Sequence, residues 1–338
     1  MAPRSTVTVT NNRGLNGFET ERKPNPLKPD KEPHEAKDWL SELLLGTVTE
    51  TESRMHRGKK VETSVLSLIA DRLNSLTKSE NITILYACES GSRAWGFPSP
   101  DSDYDIRIIY AHPIAWYLSV EEGRDVVDQP IERHVLGEID LGGWDIRKTL
   151  RLAKKSNPAI WEWLRSPMVY HRQFPDAVQT LRDGIESCFS PISACHHYLS
   201  ICRGTMAREL TGDTVKIKKY FYMLRPILAA SWIAQYKEVP PMEFQALSQM
   251  LDDAAGIRTK VDELLERKRC TDERVPISRE PQIDAYLESE LRRLTEVASR
   301  LPAAHVDADA IDLLFRKSLG IPPEKVDDGT HDRRPQTT

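Results

Sequence analysis

Residues 89–107 read ESGSRAWGFPSPDSDYDIR, and this stretch joins two predicted strands. It follows the β-rich run Ile82–Ala87, which predicts a buried strand that ends at a Gly-Ser turn. After a loop with two prolines, a second strand is predicted from Asp103 to Tyr110. Glycine at such a turn lets a phosphate approach the backbone closely. The pattern therefore predicts two strands with a phosphate-binding turn between them.

Two carboxylates begin the second strand. Residues two apart on a strand point to the same face, so Asp103 and Asp105 project together. Their mutual repulsion favours a divalent cation with oxygen ligands, and Mg²⁺ typically binds one or two carboxylates with substrate phosphates. We expect Mg²⁺ or Mn²⁺ here, as a pair of ions able to activate a hydroxyl and stabilise departing pyrophosphate. Capping aspartates in a surface loop are the other interpretation of the motif.

A third carboxylate is expected on a neighbouring strand. A third strand is predicted from Ile131 to Leu141, and Asp140 within it has apolar neighbours, as a carboxylate on a buried strand would. It would bind a metal ion or act as base toward the incoming hydroxyl. Asp145 is the alternative, although it stands just before a helix and also suits an N-cap. Asp140 is favoured, and the choice between the two stays open.

Composition and periodicity divide the 338 residues into four parts. Residues 1–35 are polar and lack apolar periodicity, which predicts a disordered tail. An α/β domain is expected over residues 36–145, a helical domain over 146–320, and a flexible tail over 321–338. Two amphipathic helices are predicted ahead of the first strand, with apolar faces formed by Trp39, Leu40, Leu43 and Leu44, and by Val65, Leu66, Ile69, Leu73 and Leu76.

The overall composition predicts a soluble cytoplasmic protein. No apolar run approaches the roughly 18 residues that a membrane span needs. The five cysteines are scattered and follow no secretory signal, which indicates reduced thiols. The spacing of Cys195, the two following histidines and Cys202 does not suit a zinc site. The net charge of −4 argues against a nucleic-acid coat but allows a local basic groove.

One short segment concentrates positive charge. Five cations occur between positions 147 and 155, on a predicted helix: Arg147, Lys148, Arg151, Lys154 and Lys155. They suit a contact with RNA or a triphosphate. A solvated helix face is the commoner explanation for such a pattern.

Several motifs in a fixed order resemble a known family. The strings GSRAWGF and SDYDIR are followed by Gly143–Lys148, Ser156–Pro158, Glu162–Leu164, His197–Ser200, Lys218–Tyr222 and Leu224–Pro226. Over about residues 80–235 the chain resembles the polymerase-beta-superfamily nucleotidyltransferases found with bacterial RNA-repair systems. The resemblance implies an α/β (α+β) nucleotidyltransferase core with a mixed twisted sheet, followed by an all-helical C-terminal domain.

The resemblance also implies a reaction and a set of core residues. The reaction is transfer of a nucleoside monophosphate from an NTP to an acceptor hydroxyl, with release of pyrophosphate. Gly91 and Ser92 are implied to grip the triphosphate, and Asp103 and Asp105 to bind Mg²⁺. The third acid is less strictly defined by the family pattern.

Further residues are expected around the nucleotide. In this fold class a helical domain often closes over the substrate, so Lys218 or Lys219, together with Arg225, is expected near the β- and γ-phosphates. Tyr222 shares a helix face with Lys218 and Arg225 and is expected to stack on the base.

Two arginines near the carboxylates have local alternatives. Arg93 is expected to pair with a phosphate, or else with Glu89 or Asp101. Arg107 lies on the same strand face as the two aspartates and is expected to hold Asp105 in place.

The acceptor is left open by the sequence. An RNA end is favoured by the resemblance and by the basic segment, while a protein side chain or a small molecule is favoured by the mild negative charge. A non-catalytic nucleotide- or RNA-binding module on the same fold is the remaining interpretation.

Overall fold

A computed structural model describes residues 52–135, 137–172, 175–251, 256–272 and 275–321. The predicted tail over residues 1–35 and the predicted helix with Trp39 and Leu44 lie outside the described residues. So does the predicted C-terminal tail from residue 322 onward.

The described chain alternates strands and helices at first and is mainly helical later. Its elements in order are α1 (Glu52–Ser79), β1 (Thr83–Glu89), α2 (Gly91–Ala94), β2 (Tyr104–Ala111), α3 (Ile114–Tyr117), β3 (Val126–Asp128), β4 (Glu132–His134), β5 (Gly137–Asp145), α4 (Ile146–Lys154), α5 (Pro158–Leu164), β6 (Val169–Arg172), α6 (Pro175–Glu186), α7 (Pro191–Glu209), β7 (Thr214–Lys216), α8 (Ile217–Tyr236), α9 (Phe244–Ser248), α10 (Ile257–Arg269), β8 (Pro276–Ser278), α11 (Pro281–Ala298) and α12 (Ala308–Ser318).

The main sheet is mixed, which confirms the predicted fold class. Its strand order is β3-β5-β2-β1-β6, and β4 also pairs with β5. Strands β2 and β5 run parallel, whereas the other pairs are antiparallel. The parallel pair places Asp105 opposite Asp140 and Tyr110 opposite Asp145. Two aspartates of β5 therefore lie at different places along the sheet.

Helices cover both faces of this sheet. Apolar residues of α1 pack with Ile106 and Ile108 of β2 on one face. On the other face, Tyr86 and Ile109 pack with α4, α5, α6 and α12. A separate hydrophobic cluster surrounds the long helix α8 and includes Phe97 from the loop before β2. The loop between α2 and β2 thus contacts the later helices directly.

Several elements differ from the sequence expectation in detail. The predicted third strand is two strands, β4 and β5, and β5 extends to Asp145. The Gly-Ser turn forms the one-turn helix α2. Strand β6 pairs with β1 although it lies after residue 146, in the part of the chain that is predicted to be helical.

Two further expectations concern membranes and cysteines. Among the described residues, no helix combines the length and apolar character that a membrane span requires. All five cysteines are free thiols, and Cys270 is the exposed one. Cys195 and Cys202 are buried in the cluster around α8, which agrees with packing rather than zinc binding.

Candidate active site

The centre of the candidate site is a pair of carboxylates on adjacent parallel strands. Ile106, Ile139 and their alternating neighbours face α1, so Asp105 and Asp140 face the opposite side of the sheet. A single Nη2 atom of Arg107 contacts Asp105 Oδ1 at 3.2 Å and Asp140 Oδ2 at 2.7 Å. The arginine therefore bridges the two carboxylates and partly neutralises them. The structure places Arg107 beside Asp105, as expected, and adds Asp140 to its contacts.

The turn after β1 lies directly against Asp105. Gly91 has a φ of +60°, and a Cβ added there would stand 1.9 Å from Asp105 Oδ2. The Ser90 amide donates to the Asp105 carbonyl at 2.7 Å. Only glycine combines this left-handed backbone with so close an approach. The Gly-Ser turn and the carboxylate pair thus form one site.

Burial and mutual repulsion make the ionised form of the carboxylate pair less favourable. Burial raises the pKa of Asp105 to about 6, with smaller contributions from Asp140 and Asp103, while Arg107 acts in the opposite direction. Burial lowers the pKa of the Arg107 guanidinium, but Asp140, Asp105 and Glu89 together raise it above its ordinary value. A carboxylate held in this way binds a cation favourably, because the cation relieves both the burial cost and the repulsion.

Glu89 is a site residue that sequence reasoning missed. Its side chain is fully buried, its Oε1 accepts from the Asp105 amide at 2.8 Å, and its Oε2 accepts from the Tyr170 hydroxyl. Burial raises the pKa of Glu89 to about 7. The Glu89 carboxylate, at the end of β1, therefore holds the backbone at the start of β2 in place. The sequence signal was weak, since a polar residue before a turn is common.

Arg93 holds the loop that leads into β2. Its Nε donates to the Asp103 carbonyl at 3.0 Å and its Nη2 to the Ser102 carbonyl at 2.7 Å. Its guanidinium lies 3.8 Å from the centre of the Tyr104 ring. These contacts favour a structural role, and the expected phosphate contact stays a prediction. Asp103 itself precedes β2 and is half-buried.

Asp145 lies away from the carboxylate pair. It is fully buried at the far end of β5, where its Oδ1 accepts from the Arg147 amide at 2.8 Å as the N-cap of α4. Its Oδ2 accepts from the Tyr117 hydroxyl at 2.6 Å. Geometry therefore favours Asp140 over Asp145 as the third carboxylate.

Ser92 belongs to a buried group of hydroxyls. Its Oγ donates to Ser102 Oγ at 3.0 Å, and Ser102 Oγ lies 2.9 Å from Ser99 Oγ. Lys268 Nζ, from α10, lies 3.4 Å from Ser99 Oγ. The structure thus attaches the predicted phosphate-binding serine to a later helix, which the sequence did not indicate.

The predicted nucleotide residues of α8 have different environments. Tyr222 is 37% exposed and contacts Trp95 edge-to-face with ring centres 5.3 Å apart, so it lies beside the loop after α2. Lys219 pairs with Glu209 at 2.9 Å and lies 5.8 Å from the Tyr222 ring. Lys218 is half-buried one residue earlier. These three side chains remain candidates for nucleotide contacts.

Arg225 is placed differently. It is 3% exposed, donates to Glu162 Oε1 at 2.6 Å and to the Met242 carbonyl, and lies 4.7 Å from the Trp95 ring. Its donors are engaged inside the protein. The expected contact with the β- and γ-phosphates has no support in this geometry, which favours a structural role.

The basic helix α4 is paired with acidic residues. Lys148 contacts Asp125 at 3.0 Å, and Arg151 contacts Glu122 at 3.2 Å. Arg147 donates to the Tyr117 carbonyl at 3.2 Å. The pairing favours the solvated-face interpretation over an RNA contact.

The carboxylates of the site can supply some of the ligands that a divalent cation needs. Within the described ranges, no three or more His, Cys, Asp or Glu side chains are arranged to hold a metal ion by themselves. Asp105 and Asp140 do supply two hard oxygen donors on adjacent strands, beside the Gly91 turn. Mg²⁺ commonly uses one or two carboxylates and takes its other ligands from water and substrate phosphates. The donor chemistry therefore suits a cation that binds together with a triphosphate.

The mixed sheet, the in-register carboxylates and the glycine turn define a polymerase-beta-like nucleotidyltransferase core. The chain belongs to the RNA repair pathway DNA polymerase beta family, whose model matches residues 65–317. It is 45% identical over 239 residues to the uncharacterized protein YcgL of Bacillus subtilis (strain 168), a span of 71% of this chain and 90% of that protein. The resemblance seen in the sequence is confirmed, and membership of the family indicates a nucleotidyltransferase-like function.

Proposed function

We propose that this protein is a metal-dependent nucleotidyltransferase that adds a nucleoside monophosphate from an NTP to the hydroxyl of an RNA end. The observation that carries the proposal is the in-register pair of Asp105 and Asp140 beside the Gly91 turn. Two carboxylates can bind a divalent cation, and a glycine turn beside them can bind the phosphates of a triphosphate through its backbone amides. The family description supports both the reaction class and RNA as the acceptor.

The residues divide the chemistry between them. A bound divalent cation would neutralise phosphate charge and favour ionisation of the attacking hydroxyl. Asp105 and Asp140, with Asp103, would hold it, and Ser92 and the backbone at Gly91 would receive the triphosphate. The acceptor oxygen bonds to the α-phosphorus, the bond to pyrophosphate breaks, and Asp140 accepts the hydroxyl proton.

Substrate positioning falls to groups around this centre. Lys218 and Lys219 would contact the outer phosphates, and Tyr222 would stack on the base. Arg107 contacts one oxygen of each carboxylate, Asp105 Oδ1 and Asp140 Oδ2, and would hold both side chains in place while their other oxygens face the cation.

Label transfer tests the proposal directly. Each of four α-labelled NTPs is incubated with Mg²⁺ or Mn²⁺ and a mixture of RNA, protein and small-molecule acceptors. Wild type is compared with Asp105→Asn and Asp140→Asn, and with Asp125→Asn as a matched control, because Asp125 pairs with Lys148 away from the site. Label should enter RNA with wild type and the control, and fall about 100-fold or more in the two site variants.

Other outcomes change specific parts of the proposal. If the label enters protein or a small molecule, that class of molecule is the acceptor instead of RNA. RNA binding that does not weaken as the salt concentration is raised from about 50 mM to about 200 mM would remove the electrostatic argument for RNA as the acceptor. Absence of transfer, with NTP binding unaffected by Asp105→Asn, would contradict the proposed reaction and leave a binding module.

A further inference from the structure

Lys268 is a buried lysine that joins a late helix to the active-site loop. Its side chain is fully buried, and its Nζ donates to the Phe97 carbonyl at 3.0 Å and to Ser99 Oγ at 3.4 Å. The ammonium lies 5.2 Å from the Phe97 ring. Burying a charged group is costly unless it is hydrogen-bonded, so these contacts fix the loop and α10 to each other.

Two hydrogen-bonded routes lead from this lysine to Ser92. Through side chains, Ser99 Oγ lies 2.9 Å from Ser102 Oγ, which accepts from Ser92 Oγ at 3.0 Å. Through the backbone, the Phe97 amide donates to the Ser92 carbonyl at 3.1 Å. Lys268 contacts the first residue of each route. The hydroxyl of Ser92 is therefore connected to Lys268 through Ser102 and Ser99, and its carbonyl is connected to Lys268 through Phe97.

We infer that Lys268 is a positioning residue that sets Ser92 for contact with the triphosphate. The inference rests on the proposed function, in which Ser92 receives phosphate oxygens. A displacement of about 1 Å at a substrate-binding group is enough to weaken binding and catalysis substantially. Lys268 lies on α10. Triphosphate binding at the turn therefore also depends on the packing of α10 against the loop.

A double-mutant cycle tests this connection. NTP affinity in the presence of Mg²⁺ is measured by calorimetry for wild type, Lys268→Met, Ser92→Ala and the double variant, with thermal unfolding of each. Methionine keeps the apolar stem but removes the donors. Each single variant should weaken NTP binding about tenfold, the size of one or two lost hydrogen bonds. The double variant should lose less affinity than the two single losses added together, because the side-chain route from Lys268 ends at the hydroxyl that Ser92→Ala removes, while the backbone route through Phe97 remains.

A matched control and a second variant complete the experiment. Lys260→Met alters another lysine of α10, which pairs with Glu263 at the surface, and should leave NTP affinity unchanged. Ser99→Ala interrupts the side-chain route without removing the Lys268 contact with Phe97. It should reduce affinity in a way that is also non-additive with Ser92→Ala, and it carries the test if Lys268→Met fails to fold.

Two results would overturn the inference. Additive losses from Lys268 and Ser92, or a lower melting temperature at unchanged NTP affinity, would show that Lys268 only stabilises the fold. Wild type that binds none of the four NTPs would instead contradict the proposed function, and the inference with it. The two failures are therefore distinguished by the wild-type titration alone.

Discussion

Gly91 decides whether the phosphate-binding turn can lie against the Asp105 carboxylate. Its backbone is left-handed, and the space that a side chain would need is filled by Asp105 Oδ2. Gly96, five residues later, is also left-handed with a φ of +87°, but nothing lies within 4 Å of its added Cβ. Because only one of the two has the close contact, the pair separates backbone strain from steric displacement.

Gly91→Ala should therefore do more harm than Gly96→Ala. A residue with a Cβ in the left-handed region costs about 1–2 kcal/mol, and both variants carry that cost. Only Gly91→Ala also pushes the Asp105 carboxylate aside, so it alone should weaken Mn²⁺ binding. Urea unfolding and Mn²⁺ titration measure the two effects. Equal stability loss and equal Mn²⁺ affinity in the two variants would show that the close approach at Gly91 is unimportant.

At this scale the sequence predicted what depends on local spacing. The D-x-D spacing and the apolar neighbours of Asp140 are local features, and the structure brings Asp105 and Asp140 together. Lys268 contacts Phe97 across 171 positions of sequence, so the local sequence around either residue does not predict the contact. Arg225 shows the converse, because helical spacing groups it with Tyr222 while its burial beside Glu162 depends on other helices.

At the scale of elements, β5 places two aspartates in two different environments. Asp140 faces Asp105, whereas Asp145 ends the strand and caps α4. Burial raises the pKa of Asp145 above the ordinary value for aspartate. A carboxyl with a raised folded-state pKa binds its proton more tightly when folded. It therefore contributes most stability below the unfolded-state pKa and loses that contribution as pH rises through the folded-state value.

Asp145→Asn should accordingly behave as a stability variant with a pH signature. Asparagine is a good N-cap, so the variant should lose only about 1 kcal/mol at pH 4, from the altered contact with Tyr117. Wild type should then lose stability relative to the variant as pH rises above about 4, the ordinary pKa of an aspartate, while nucleotidyl transfer by the folded variant persists. Asp307→Asn, at the exposed N-cap of α12, is the control for a lost capping charge. Abolished transfer with an intact fold would make Asp145 the third carboxylate.

Element prediction worked where periodicity extends over many residues. The amphipathic pattern from Val65 to Leu76 predicted a helix that lies within α1, and the helix predicted for the basic segment from 147 to 155 corresponds to α4 within the uncertainty of helix ends. Strands β1 and β2 were predicted from their β-rich runs. The four-residue strand β6 was missed, because its pairing with β1 depends on the helices between them rather than on its own pattern.

At the scale of the whole molecule, a buried polar cluster ties the sheet region to the later helices. Arg225 of α8 donates to Glu162 of α5, and the same Glu162 oxygen accepts from Tyr198 of α7 at 2.9 Å. The guanidinium also lies against Trp95, in the loop beside the Gly91 turn. The cluster therefore connects four segments that the chain separates widely, and one of them adjoins the candidate site.

Arg225→Met tests whether this cluster is structural or binds phosphate. Removing one partner of a buried pair leaves the other charge uncompensated and should cost about 3–5 kcal/mol. Arg225→Met with Glu162→Gln removes both charges and keeps an acceptor for Tyr198, so stability should largely return. Arg165→Met is the surface control, because Arg165 and Glu186 are both exposed and their pair should contribute at most about 1 kcal/mol.

The double variant then decides between the two roles of Arg225, because it separates charge loss from unfolding. A structural arginine predicts that NTP affinity returns together with stability, since the turn beside Trp95 regains its support. A phosphate-binding arginine predicts a stable protein that still binds NTP weakly. Chemical unfolding and NTP titration on the same three variants give both quantities. We expect the first result, because the guanidinium is 3% exposed and already donates to Glu162 and to the Met242 carbonyl.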